Sequence, residues 1–359
     1  MKIVLVTGGA GFIGSNFVRF LLEAKQDVQV INLDALTYAG SLENLKELPD
    51  PDRYQFIQGD IGDFDMVKRL LSDKDIDTIV HFAAETHVDR SILGPAAFIH
   101  TNISGTFSLL EAARQAWSGK TEGKRFHHVS TDEVYGSLNP SDPAFLESNN
   151  YDPRSPYSAS KAASDHLVRV YHYTYGLPVT ITNCSNNYGP HQFPEKLIPL
   201  IILNALHMKP LPIYGDGKQI RDWLFVQDHV EAILLVLERG QAGQTYNIGG
   251  ENQPQNLDLV KEICSILDDL RPAKQPHATL IEYVPDRPGH DRRYAMDITK
   301  IRTELGWQPR HDLKSGLRET VQWYLENPTW INSISEQQTF NQWIAENYKD
   351  RSSSSVDGV

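Results

Sequence analysis

The run Thr7-Gly8-Gly9-Ala10-Gly11-Phe12-Ile13-Gly14 limits this chain more than any other feature. A short apolar run, Ile3–Val6, enters it, and a helical pattern, Ile13–Ala24, leaves it. Gly9, Gly11 and Gly14 fit G-x-G-x-x-G, and Gly8, Gly11 and Gly14 fit G-x-x-G-x-x-G. Such spacing permits a tight turn, close backbone approach to a pyrophosphate, and close helix–strand packing. The helix start adds N–H groups and a positive dipole end for an anion. An ordinary βα turn uses glycines too, so context decides. Asp34 stands 20 residues beyond Gly14, after a second predicted strand, Val28–Leu33. A carboxylate there accepts hydrogen bonds from ribose hydroxyls and repels a 2′-phosphate. Gly8, Gly11, Phe12, Ile13, Gly14 and Asp34 are therefore read as a dinucleotide site. NAD is expected rather than NADP, because no Arg follows Asp34 nearby.

The strand–helix alternation continues. Apolar runs recur at Tyr54–Gln58, Thr78–Phe82, Phe126–Ser130 and Val179–Asn183. Helical patterns lie at Phe64–Ser72, Ala97–Trp117 and from Ser158 to Tyr175. Both-face-buried strands alternating with helices predict an α/β fold, a doubly wound parallel Rossmann-type sheet. Asp60 and Ile61 follow the third strand, where adenine is expected. Phe82, Ala83 and Ala84 end the fourth, their small side chains allowing a cofactor to pass, although core packing explains alanines equally well. After Asn187 the texture changes, with Pro190, Pro194, Pro199, Pro210 and Pro212 followed by Gly215 and Gly217. A smaller α/β substrate-binding domain is expected from residues 188–221 and 251–345. Helix Asp228–Arg239 and strand Thr245–Ile248 are expected to return to the first domain, residues 1–187. The serine-rich end, residues 346–359, is expected to be a disordered tail.

Composition excludes several classes. The chain has 359 residues with 34 Lys plus Arg against 46 Asp plus Glu, a net charge of −12. That balance disfavours nucleic acid, whose phosphates need clustered cations. No apolar stretch approaches the roughly 20 residues of a membrane-spanning helix. The N-terminal apolar run of about five residues is shorter than a secretory signal requires. Two cysteines, Cys184 and Cys264, make no disulfide framework, so a reducing, cytoplasmic setting is expected. The 13 histidines form no metal-spaced set, and no metal is expected.

Tyr157 and Lys161 are four apart and share a helical face. A nearby ammonium lowers a phenol's pKa, which lets a tyrosinate accept a proton. A solvated Tyr/Lys face has the same spacing. Pro156 just before it, and Thr131 at the end of strand Phe126–Ser130, add weight, because ligands of open α/β sheets bind beyond that strand end. Thr131 is followed by two acids, Asp132 and Glu133. They serve either as a solvated strand-end pair or as opposed acid and base, and the latter requires environments that separate their pKa values.

Together these motifs resemble the extended short-chain dehydrogenase/reductase family, over nearly the whole chain to about Tyr324. The pair after Thr131 resembles that family's nucleotide-sugar dehydratases. So do Ala84-Glu85-Thr86-His87-Val88-Asp89-Arg90-Ser91, Asn183-Cys184-Ser185-Asn186-Asn187-Tyr188-Gly189-Pro190, Gln219-Ile220-Arg221-Asp222-Trp223 and Asp286-Arg287-Pro288-Gly289-His290. The resemblance implies that Tyr157 takes the C4 hydroxyl proton during oxidation and Thr131 bonds the C4 oxygen. Lys161 then holds Tyr157 and the cofactor ribose, Glu133 removes the C5 proton, and Asp132 protonates the departing C6 hydroxyl. It implies tightly bound NAD, also touched by Ala35, Leu36, Thr37, Thr101 and Asn187. It implies a nucleotide-sugar substrate met by Thr86, Asn186, Glu195, Lys196, Leu197, Pro212, Ile213, Tyr214, Arg221, Asn256, Arg287 and His290. Many relatives carry Lys where Ala35 stands. A homodimer through Ala97–Trp117 and Ser158–Tyr175, and a rhamnose-type product, are further implications.

Alternatives stay open at this level. A 4-epimerase needs no acid pair, and a non-catalytic NAD-binding regulator would not need Thr131, Tyr157 and Lys161. No residue separates thymine from uracil.

Overall fold

The computed structural model describes residues 1–335. The expected tail, residues 346–359, and the end of the expected second domain lie outside them. A seven-stranded parallel sheet runs in the order β10-β6-β5-β4-β1-β2-β3. Its strands are β1 (Ile3–Thr7), β2 (Gln29–Asp34), β3 (Tyr54–Gln58), β4 (Thr78–His81), β5 (Arg125–Thr131), β6 (Val179–Cys184) and β10 (Thr245–Ile248). Four short strands form two further parallel pairs. β7 (Asn186–Tyr188) pairs β9 (Trp223–Phe225), and β8 (Leu211–Tyr214) pairs β11 (Ile281–Val284).

Alternation along β1 shows why helices cover both faces. Leu5 joins a core with α2 (Phe64–Asp73), α5 (Thr106–Ala116) and α6 (Pro156–Tyr175). Val4 and Val6 join the opposite core, with α1 (Phe12–Ala24) and α8 (Val226–Arg239). Side chains two apart share a face, so an all-apolar strand must be buried on both.

A third core, beyond the sheet's carboxyl ends, gathers α7 (Leu197–Leu206), α9 (Asn256–Leu270), α11 (Leu313–Glu326) and α12 (Pro328–Ser335) around Tyr188, Trp223 and Phe225. The proline-rich texture hid α7, although Pro199 sits in its first turn, where a missing N–H costs nothing. Helix α10 (Thr299–Leu305), expected with the cap, packs instead on β10 and α8. The stretch expected as one helix, Ala97–Trp117, is also more complex. It follows α3 (Val88–Leu93) and comprises α4 (Pro95–Phe98), a π-helical segment Ile99–Gly105, and α5.

Helix α6 starts sharply. Ser155 and Ser158 form a reciprocal capping box, Pro156 occupies the first turn, and Gly176 closes the helix at φ +67°. This fixes Tyr157 in the first turn and Lys161 one turn on.

Candidate active site

The glycine turn is sterically obligatory. Gly8 has φ +73°, and a Cβ there would stand 2.6 Å from the Ala83 nitrogen. A Cβ on Gly14 would stand 2.3 Å from the Gly8 carbonyl oxygen. Gly11 is the N-cap of α1 and offers no side chain to its free N–H groups, which leaves them for an anion. Asp34, at the end of β2, accepts from the Ala10 N–H at 2.9 Å and the Leu36 N–H at 2.8 Å.

These groups line a cavity of about 310 Å³. Gly8, Gly11, Phe12, Ile13, Gly14, Asp34, Ala35, Thr37, Asp60, Ile61, Phe82, Ala83, Ala84, Thr101, Thr131, Asp132, Glu133, Tyr157, Lys161 and Asn187 all face it. Leu36 does not: its side chain packs into the core beside α1, and its contribution is the N–H that fixes Asp34. Backbone turn, helix N-terminus and strand-end acid together fit a dinucleotide.

A second cavity of about 190 Å³ adjoins the first. Thr86, Asn186, Glu195, Lys196, Leu197, Pro212, Ile213, Tyr214, Arg221, Asn256, Arg287 and His290 line it. Thr86, Glu133, Asn186, Asn187, Gln192, Glu195 and Lys196 belong to both cavities and form their common wall. Buried Asn186 Oδ1, Asn256 Oδ1 and Arg287 Nε have no protein hydrogen-bond partner. Unpaired buried polar atoms are costly, so this cavity suits a polar ligand. Its cations are held in place. Arg287 pairs with Asp89 at 3.3 Å, and Lys196 donates to the Thr86 carbonyl at 3.2 Å. Arg221 is less available than its sequence suggested, because its two terminal nitrogens donate to the Ile220 and Asp291 carbonyls while it stacks 4.3 Å from the Tyr294 ring. His290 bonds Asp286 at 2.6 Å.

The acids lie between the cavities, on a single 3₁₀ turn, Asp132–Tyr135, capped by Thr131. Thr131 Oγ1 donates to Asp132 Oδ1 at 3.2 Å and accepts from the Glu133 N–H at 3.3 Å. Burial pushes Asp132 well above the usual carboxylate range, and Glu133 and Asp222 push it further. Burial raises Glu133 as well, but Arg287, Arg221 and Lys196 oppose the rise. The pair is therefore split, with Asp132 retaining its proton and Glu133 yielding it first.

The Tyr157 phenol is raised well above its ordinary value, first by burial and then by Glu133. The Lys161 ammonium donates to the Val129 carbonyl at 2.8 Å. Sequence reading also missed Asp89, which holds Arg287 and Tyr214, although it lies within a quoted motif. Among the described residues, no group of three or more His, Cys, Asp or Glu is placed to hold a metal.

A protein-family model described as GDP-mannose 4,6 dehydratase matches residues 5–320. A dTDP-glucose 4,6-dehydratase of Salmonella typhimurium is 55% identical over 98% of this chain and 100% of its own length. One from Xanthomonas campestris is 57% identical over 93% of this chain and 96% of its own. The chain belongs to the dTDP-glucose 4,6-dehydratase family. Among solved members, the Streptomyces venezuelae enzyme with NAD and dTDP bound is 50% identical, with a TM-score of 0.83 over 91% of this chain and 98% of that one. A UDP-glucose 4-epimerase of Thermotoga maritima shares the fold at 32% identity and a TM-score of 0.79, covering 91% of this chain and 99% of its own. Both kinds of nucleotide-sugar enzyme thus share this scaffold.

Proposed function

We propose that this chain is an NAD-dependent hydro-lyase that converts dTDP-glucose to dTDP-4-keto-6-deoxyglucose and water. The observation that carries the reading is the acid pair Asp132 and Glu133, split by its surroundings at the wall between the two cavities. Close dTDP-glucose 4,6-dehydratase relatives support the same nucleotide and reaction.

The C5 hydrogen of a hexose is not acidic, but a ketone at C4 makes it so. Bound NAD supplies the acceptor that takes hydride from C4 and later returns it to C6. Tyr157 takes the C4 hydroxyl proton, and Thr131 donates to the C4 oxygen. Lys161 carries a positive charge beside them. Glu133 then removes the C5 proton, and Asp132 gives its proton to the C6 oxygen, which leaves as water. The protons balance: Tyr157 and Glu133 each gain one, Asp132 gives one to the departing water, C5 takes one back as hydride returns to C6, and the three side chains re-equilibrate before the next turnover. Gly8, Gly11, Gly14 and Asp34 hold the dinucleotide, and Lys196 and Arg287 balance the diphosphate. Arg suits the latter through its planar fork of donors.

The chain works as a homodimer in this reading. Phe107 on α5 and Val170 and Tyr173 on α6 are large and exposed (49%, 50% and 79%), and these two helices pack together. Residues 1–187 with 222–250 make the NAD-binding unit, joined by α10, and the remaining segments bind the sugar nucleotide. A cytoplasmic setting suits the two unpaired cysteines, and a rhamnose-type deoxysugar is the product's use.

Purified holoenzyme given dTDP-glucose and UDP-glucose side by side tests the reading. A 4-keto-6-deoxy product from dTDP-glucose, without net NADH, is expected. Formation of the C4 epimer alone would overturn it.

A further inference from the structure

Behind Lys161 lies a buried carboxylate that the reaction above does not use. Asp165 is one turn beyond Lys161 on α6 and has no exposed surface. Its Oδ2 accepts from Ser130 Oγ at 2.9 Å, Tyr151 OH at 2.8 Å and Asn183 Nδ2 at 3.3 Å. Its Oδ1 faces His128 Nε2 at 3.2 Å, and that same nitrogen stands 3.4 Å from the Lys161 ammonium. Arg169 reaches the far end of the set, donating to Tyr151 OH at 2.6 Å.

So many donors around one carboxylate stabilise its ionised form. Burial alone would raise Asp165, yet His128, Lys161 and Ser130 together bring it below the ordinary carboxylate value. His128 is neutral, lowered to about 4 by burial and by Lys161. The cluster therefore carries one buried negative charge next to one buried ammonium.

We propose that Asp165 is a positioning residue for the C4 oxidation step, its buried charge keeping Lys161 charged and held between β5 and the cavity. This rests on the dehydratase reading above. An ammonium taken out of water tends to lose its proton. Burial lowers Lys161 to about 8, and Asp165 is the main opposing influence, followed by Cys184. The other groups around Lys161 do not supply a negative charge in its place. His81, from β4, is neutral and lies tilted against His128, ring centres 5.1 Å apart. Cys184, from β6, is raised to about 12 and so keeps its proton. Burial raises both Tyr157, on the same helix, and Asp132, across the cavity. Glu133 faces Arg287, Arg221 and Lys196.

The sign follows directly. Lys161 must be protonated, so activity falls as pH rises through its pKa. Removing Asp165 lowers that pKa and moves the alkaline limb towards neutral pH.

Asp165→Asn and Asp165→Ser holoenzymes, compared with wild type for kcat and KM against pH using dTDP-glucose, provide the test. The alkaline limb is expected to move down by about one pH unit, giving about fivefold lower kcat at pH 8 with KM nearly unchanged. A folded, NAD-loaded variant with an unmoved limb overturns the proposal. If neither variant folds, ¹⁵N NMR of the wild-type lysine Nζ groups decides, with Lys161 assigned by Lys161→Arg. A charged Lys161 at pH 7 is required, and a neutral one overturns the proposal. Wild type that turns over no nucleotide hexose would instead refute the dehydratase reading.

Discussion

The two cavities bind by different means. The larger is shaped by main chain: a glycine turn, the start of α1, and one acid whose oxygens are fixed by backbone N–H groups. The smaller is shaped by side chains, with Arg287 held by Asp89 and Lys196 by a carbonyl. A backbone site admits one geometry and tolerates no added atoms. A side-chain site is set by charge and can be retuned one residue at a time. Glu133, on the wall between them, belongs to both, and its neighbour Asp132 lines the larger.

The greatest effect is expected on that wall. Glu133→Gln keeps the shape and removes the base, so C5 hydrogen exchange with solvent and turnover should fall by about 10²–10⁴-fold. NAD reduction by substrate should remain detectable in a single turnover. Undiminished C5 exchange would take Glu133 out of the role.

Gly14→Ala probes the backbone site. The added carbon meets the Gly8 carbonyl oxygen at 2.3 Å, and overpacking of this kind costs about 1–3 kcal/mol. The purified protein should lose its NAD and melt at a lower temperature. Full NAD content would show that the turn is slacker than its geometry.

Asp89→Asn probes the side-chain site and should do least. Arg287 loses its carboxylate, and KM for dTDP-glucose should rise about tenfold, about 1.4 kcal/mol of binding, with NAD content unchanged. A loss of NAD instead would mean that the two cavities are not built independently.

This contrast also explains what could be read from the sequence. The larger cavity was legible because backbone constraints write themselves as glycines at fixed spacing, and Asp34 follows at the end of β2. The sheet was legible through its apolar runs, each within a residue or two of an observed strand. Residues of the smaller cavity were named through resemblance, since β8, β11 and α9 bring together positions far apart in the chain. Helix α9 and α11 went unread after the prolines, and the π-helical turn at Ile99–Gly105 has no local signature. Leu36 holds Asp34 through its N–H, a role that its side chain does not announce. Lys161 shows the same limit, since spacing put it on Tyr157's face but could not show that Val129 takes its hydrogen bond.

The common wall has a consequence for inhibition. Seven residues belong to both cavities, so the two spaces compete for volume where they meet. A molecule too bulky for the smaller space takes room from the larger. Inhibitors grown outward from a nucleoside diphosphate should therefore reach a length at which added atoms weaken cofactor retention, even with every contact to the diphosphate intact.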